Sequence, residues 1–213
     1  MTFNPTDHWQ RVYTDKAPDA VSWYQRSPIR SLSLIHTHKS DAPCRIIDIG
    51  AGASNLVDHL LDSPAFEPWL LDISTRALDI TRARLADRAA RTHVTTADIT
   101  QPLTEPPAQW ADIWHDRAVF HFLTDDKAIK GYARNLAHIL KPGGIAIIAT
   151  FAPDGPTKCS GLDVRRHDAP SIHAALAPHA PLTLLSEARE DHTTPWGAVQ
   201  KFTYAILRRT PSP

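Results

Sequence analysis

Cysteine is nearly absent from this chain, with Cys44 and Cys159 the only two in 213 residues, far apart and in no CxxC pattern. A disulfide-stapled framework is therefore not expected, and a reducing, cytoplasmic compartment is. Charge of one sign is missing too, because 23 basic side chains cancel 23 acidic ones. Such a balance offers no basic face of the kind that nucleic acid or an anionic membrane selects. Long apolar runs are absent: the longest, Ile145 to Ala152, falls far short of the roughly 20 residues that cross a bilayer. The opening Met1-Thr2-Phe3-Asn4-Pro5 carries neither the basic nor the apolar stretch of a secretory signal.

Histidine is abundant, at twelve, yet HExxH and Cys/His ligand spacings do not occur. His36 with His38, and His115 with His121, are read as exposed or locally hydrogen-bonded, and no metal is expected. Repeats, low-complexity tracts and linkers are also lacking, so the length suits one α/β core. Composition says nothing of the oligomeric state.

Three zones make up that single domain. Residues 1–40 are aromatic and polar and read as an N-terminal helical cap, with a helical pattern through Arg30 and Leu34. Residues 44–152 alternate short apolar runs with amphipathic stretches. Residues 153–213 read as a loop followed by a closing hairpin, with a frayed Pro211-Ser212-Pro213 tail.

In the middle zone Arg45–Ile49, Pro68–Asp72, His93–Ala97, Ala111–His115 and Ile145–Phe151 read as strands. Helices are expected over Asn55–Leu61, from an N-cap at Ser74 to about Asp87, and over Asp125–Leu140. Lys141-Pro142-Gly143-Gly144 reads as a sharp turn before the last of these strands. Strands separated by helices imply a parallel sheet. Leu182–Leu185 and Phe202–Leu207, without a helix between them, would close it as an antiparallel pair. The expected fold is a Rossmann-like α/β domain with a seven-stranded, mostly parallel sheet and helices on both faces.

The first strand ends in Asp48-Ile49-Gly50-Ala51-Gly52-Ala53-Ser54-Asn55. Glycines there let backbone approach a ligand where a Cβ would collide, close to the next helix N-terminus. Asp72 ends the second strand, placed to accept hydrogen bonds from the ribose hydroxyls of an adenosine. Asp98 follows the third strand and could receive an adenine amino group, with Ile73 and Ile99 against the ring. A nicotinamide dinucleotide would use the same features, but its fingerprint wants a third glycine where Asn55 stands. A nicotinamide-dependent oxidoreductase is thus the distant alternative, and a binding module without catalysis another.

Taken together, Ile46 to Asn55, Asp72, Ala97-Asp98-Ile99 and Leu140-Lys141-Pro142-Gly143-Gly144 resemble the motifs of class I S-adenosylmethionine-dependent methyltransferases. The resemblance covers roughly residues 44–152 and implies S-adenosylmethionine as cofactor, held by Asp48, Gly50, Ala51, Gly52, Asn55, Asp72, Ile73, Asp98, Ile99 and Asp116. Gly50 to Leu56, with Ser54, and His115-Asp116-Arg117-Ala118 are similar to lysine methyltransferases of citrate synthase and of an elongation factor. Those enzymes carry an acid five residues after the Asp of the latter motif, where this sequence has His121. Asp116-Arg117-Ala118 is also similar to thiopurine and thiol methyltransferases. The acceptor is therefore expected to be a small molecule or a protein lysine, the former favoured.

Methyl transfer asks the protein mainly to align nucleophile, methyl and leaving sulfur and to exclude water. Asp116, Arg117 and His121 are the catalytic candidates. His121 would act as a base toward an amine, or else pack or orient the substrate. Trp9, Tyr13, Trp23 and Tyr24 either form a lid over the cofactor, with Trp9 and Tyr24 in contact with it, or anchor the cap to the core. Lys158, Cys159 and Arg165 either face the acceptor or sit on a solvated turn.

Overall fold

The computed structural model describes residues 3–39 and 43–211. Met1 and Thr2 of the opening stretch, and Ser212 and Pro213 of the tail, lie outside the described residues.

A seven-stranded sheet forms the frame. Its strands in chain order are β1 (Cys44–Ile49), β2 (Phe66–Asp72), β3 (His93–Thr96), β4 (Ala111–Arg117), β5 (Leu140–Phe151), β8 (Leu182–Thr193) and β9 (Val199–Arg209). They stand in the order β3-β2-β1-β4-β5-β9-β8. The first five are mutually parallel, and β9 pairs antiparallel with both β5 and β8. The Rossmann-like fold is thus present, with its closing hairpin longer than the two apolar runs suggested.

Alternation along the strands explains why both faces are covered. Ile47, Trp114 and Ile148 point to one face and Ile46, Ile113 and Ile147 to the other, as a period of two requires. The first face packs α5 (Asp126–Ile139) through Ile129, Tyr132 and Leu136, together with α6 (Ala169–Leu176). The second packs α2 (Ile29–His38) and α3 (Leu56–Leu61). α4 (Thr75–Leu85), capped by the Ser74 side chain, adds Leu78 and Leu85 against Leu70. α1 (Pro5–Asp15) starts from Asn4, whose Oδ1 accepts from the Thr6 amide.

Three local expectations need correction. Lys141–Gly144 is not a turn before β5 but part of that strand, where pairing jumps from Ala111–Leu140 to Ile113–Ile145. Gly143, at φ +82°, lets the extra residues bulge out. α6 was not foreseen: it is eight residues long, opens on Pro170 and is capped by Asp168. The stretch read as a loop after β5 contains a small hairpin, β6 (Lys158–Cys159) with β7 (Leu162–Asp163).

The sheet order reverses between β1 and β4, which opens a crevice at the carboxyl ends of the parallel strands. That is where such sheets hold ligands.

Candidate functional site

The crevice contains a half-open cavity of about 540 Å³, within the usual range for small-molecule sites. Its floor comes from strand ends and the loops after them: Ile49, Gly50, Asp72, Ile73 and residues 97–100.

Asp72 is buried at the end of β2, and both of its oxygens are engaged. Oδ2 accepts from the Gly52 amide at 2.8 Å and Oδ1 from the Ser74 amide at 2.7 Å. One carboxylate therefore fixes the glycine turn and the entry to α4 while still lining the cavity. Burial raises its pKa to about 6, against the pull of these amides. Asp98 folds its own turn, with Oδ1 accepting from the Thr100 amide at 2.9 Å and its hydroxyl at 2.8 Å.

That turn is gripped by α5. Asn135 Nδ2 donates to the carbonyls of Ile99, at 2.6 Å, and Gln101, at 2.8 Å. A Cβ on Gly131 would lie 1.9 Å from the Thr100 carbonyl oxygen, so the helix must be bare at that point.

Gly50 and Gly52 adopt left-handed φ values of +63° and +54°. Gly50 lines the cavity, and protein also stands close to both glycines. A Cβ on Gly50 would meet Val119 Cγ2 at 2.1 Å, and one on Gly52 would meet the Tyr13 hydroxyl at 2.3 Å.

The cap supplies the opposite wall, through Trp9, Tyr13 and Trp23. Gln10 fastens it, since its Oε1 accepts from Ser74 Oγ at 2.7 Å and from the Arg76 amide at 3.0 Å. From the end of β4 onward, Arg117, Ala118, Val119, Phe122, Leu123 and Asp125 add to the lining, with Cys159, Leu162 and Asp163 from the small hairpin. Burial pushes the Cys159 thiol up to about 11, so it stays protonated at neutral pH.

Arg117 is nearly buried, and Nη2 donates to Glu190 Oε2 at 3.1 Å. Nη1 donates to the Trp23 carbonyl at 3.2 Å, and the guanidinium lies 4.3 Å from the Phe202 ring centre.

Several residues singled out from the sequence stand away from this cavity. Asp48 is buried with Oδ1 2.7 Å from His115 Nδ1, and His115 Nε2 lies 2.9 Å from Ser31 Oγ. These bonds tie β1, β4 and α2 together at a smaller adjoining pocket, which Ala51 and Tyr24 also line and which shares Tyr13, Trp23, Gly50 and Arg117 with the cavity. Asn55 spends its side-chain amide on the Gln25 carbonyl at 3.1 Å. Asp116 sits under the turn after β4 and accepts from the Val119 and Phe120 amides and the Tyr132 hydroxyl. Burial raises its pKa to about 7.

His121 is fully buried and does not line the cavity; its Nδ1 accepts from the Phe151 amide at 3.2 Å. Burial lowers its pKa to about 3, which leaves a poor base. Lys158 points outward to Asp163, and Arg165 is exposed with its amide bonded to the His121 carbonyl. Of the three acceptor-side candidates only Cys159 reaches the cavity. Among the described residues no cluster of three or more metal-ligating side chains occurs.

Residues 47–146 match the family model of a methyltransferase domain. The matched segment holds the glycine turn, Asp72, Asp98 and the end of β4, which is the floor of the cavity. The cofactor of such a domain is S-adenosylmethionine. The residues present fit it: a buried carboxylate and a polar turn face a cavity of suitable size.

Solved structures agree on the fold. A protein associated with the conversion of a disulfide bond into a thioacetal group during echinomycin biosynthesis aligns over 97% of this chain and 93% of its own, with TM-score 0.76 and 18% identity. A SAM-dependent methyltransferase from Anabaena variabilis aligns over 98% and 96%, with TM-score 0.75 and 16% identity. Haemonchus contortus phosphoethanolamine N-methyltransferase 2, bound to phosphomonomethylethanolamine and S-adenosylhomocysteine, aligns over 99% and 61%, with TM-score 0.74 and 14% identity. No curated protein sequence matches the chain.

Proposed function

We propose that the chain is an S-adenosylmethionine-dependent methyltransferase with a small-molecule acceptor. The observation that carries the reading is the 540 Å³ cavity, which has Asp72 and Asp98 on its floor and an apolar, aromatic wall facing them.

When bound, S-adenosylmethionine supplies a methyl group on a positively charged sulfur, already activated for displacement. The chain's own part is binding, alignment and exclusion of water. Asp72 accepts from the ribose hydroxyls, and its amide partners fix it in place for that task. Asp98 receives the adenine amino group between Ile73 and Ile99. Trp9, Tyr13 and Trp23 shut solvent out, and Arg117 and Cys159 border the acceptor.

Two structural neighbours support a small acceptor. One is tied to echinomycin biosynthesis and the other holds phosphomonomethylethanolamine. A lysine acceptor draws no support from the cavity, because the position where the lysine enzymes carry an acid is the buried His121.

Calorimetric titration with S-adenosylhomocysteine tests the reading. Saturable binding by the wild-type protein, lost in a folded Asp72→Ala variant, is expected. A folded wild-type protein that does not bind would refute it.

A further inference from the structure

The cavity has a second chemical character at its β4 end. β4 lies two strands from β2, roughly 10 Å along the sheet, so this end is separate from the Asp72 carboxylate. Three half-buried rings from two parts of the chain meet there. Trp9 stands edge-on to Trp23, at 5.7 Å and 78°, and to Phe122, at 5.1 Å and 75°. All three line the cavity. The cavity in front of these rings suits a flat aromatic guest, which would gain edge or face contacts with them.

Aromatic walls also suit a quaternary ammonium, and the neighbouring charge separates the two guests. Arg117 belongs to the same wall, bound through Nη1 to the carbonyl of Trp23 itself. Glu190, its counter-ion, lies behind it and does not line the cavity. The guest therefore meets the guanidinium face and not the carboxylate.

A guanidinium has five N–H donors. Here Nε serves Glu190 and Tyr204, one hydrogen on Nη1 serves Trp23, and one on Nη2 serves Glu190. Among the described residues two donors remain, one on each Nη, on a side chain that lines the cavity. Asp125 and Asp163 also line the cavity, but both are exposed: Asp163 is paired with Lys158 and Asp125 caps α5 through the Ala128 amide, so the buried charge beside the rings is that of Arg117.

We propose that the acceptor is a small aromatic molecule bearing an anionic group, its ring held by Trp9, Trp23 and Phe122 and its anion by Arg117. This rests on the small-molecule methyltransferase reading and names the class of substrate within it.

The 213-residue chain, saturated with S-adenosylhomocysteine, is titrated with benzoate, 4-hydroxybenzoate and 2-mercaptobenzoate. Benzamide, benzyltrimethylammonium and cyclohexanecarboxylate serve as neutral, cationic and non-aromatic counterparts. Tryptophan fluorescence and calorimetry report binding. At least one aromatic acid is expected to saturate and to bind about tenfold tighter than all three counterparts, as a charge-assisted pair plus ring contacts should give.

Arg117→Gln combined with Glu190→Gln leaves no buried charge unpaired. It is expected to erase the preference for acid over amide while S-adenosylhomocysteine still binds. Phe122→Leu should erase the preference for aromatic over cyclohexane acid. If the double variant does not fold, the ligand series on the wild-type protein still decides. Benzamide or benzyltrimethylammonium binding as tightly as the acids would overturn the inference and leave the methyltransferase reading standing. So would the failure of all three aromatic acids to saturate at millimolar concentration. Failure to bind S-adenosylhomocysteine at all would bring down both.

Discussion

Asp72 is asked to do two things with one carboxylate: accept two backbone amides and remain a partner for a ligand. Its pKa, raised by burial to about 6, makes the second task pH-dependent. Ribose hydroxyls donate best to the ionised form, so ligand binding favours loss of the proton. Affinity for S-adenosylhomocysteine is expected to be level above about pH 6.5 and to fall as pH drops through 6 and below. Asp72→Asn should bind about tenfold or more weakly and without that slope, because a neutral amide offers one acceptor where two are used. Calorimetry at pH 7.5, 6.5 and 5.5 measures both effects; a wild-type affinity independent of pH would remove Asp72 from the binding role. Asp72 was legible in the sequence because a strand-ending acid at a fixed distance from a glycine turn has few other uses. That Asp116 caps the turn after β4 was not legible, for a physical reason. An acid that caps a turn from below and an acid that faces a ligand from above occupy the same place in the linear pattern.

At the scale of elements, α5 and the turn over residues 98–101 form one unit. The bare face of Gly131 against the Thr100 carbonyl and the two hydrogen bonds from Asn135 hold the turn against the helix. Gly131→Ala must push the turn away, since the new Cβ would meet backbone rather than a flexible side chain. It is expected to weaken S-adenosylhomocysteine binding more than Asn135→Ala, which only loosens the same contact. Equal affinities in all three proteins would mean that the turn does not touch the ligand. The strands were legible because β-branched runs alternate cleanly, and the helices of the middle zone because their apolar spacing is helical. The bulge at Lys141–Gly144 was not, since glycine and proline mark a turn and a bulge alike. Lys158 and Cys159 show the limit of residue-level reading: adjacent positions on a two-residue strand face opposite ways, and only the inward one borders the cavity.

At the scale of the whole molecule, three buried histidines among the described residues, His121, His167 and His192, resist protonation, the first two most strongly. Burial lowers His121 to about 3 and His167 to about 4, and the Nε2 of each has no hydrogen-bond partner. In the unfolded chain both titrate near 6.5. Between that value and their folded values the unfolded state binds protons that the native state refuses, so these groups make stability fall as pH falls. Asp72 and Asp116, raised by burial to about 6 and 7, act in the opposite sense over the same range, so the histidine contribution is read by comparing two proteins. Relative to wild type, the melting temperature of His121→Gln, whose side chain does not titrate, should rise as pH falls from 7 to 5. An identical slope in the two proteins would contradict the assignment. Neither histidine could be assigned to the interior from sequence, because their neighbours come from β5, α6 and the turn after β4, brought together only by the closed fold.

The contact between Tyr13 and Gly52 joins residues far apart in the chain. A methyl group at position 52 would lie 2.3 Å from the tyrosine oxygen but 3.2 Å from the ring carbon that bears it. The identity of residue 13 therefore sets the steric part of what residue 52 can tolerate, beside the strain of its left-handed φ. In evolutionary language the two sites are epistatic: a library varied at 52 alone should report only intolerance, whereas phenylalanine at 13 should open room there for a second generation of variants.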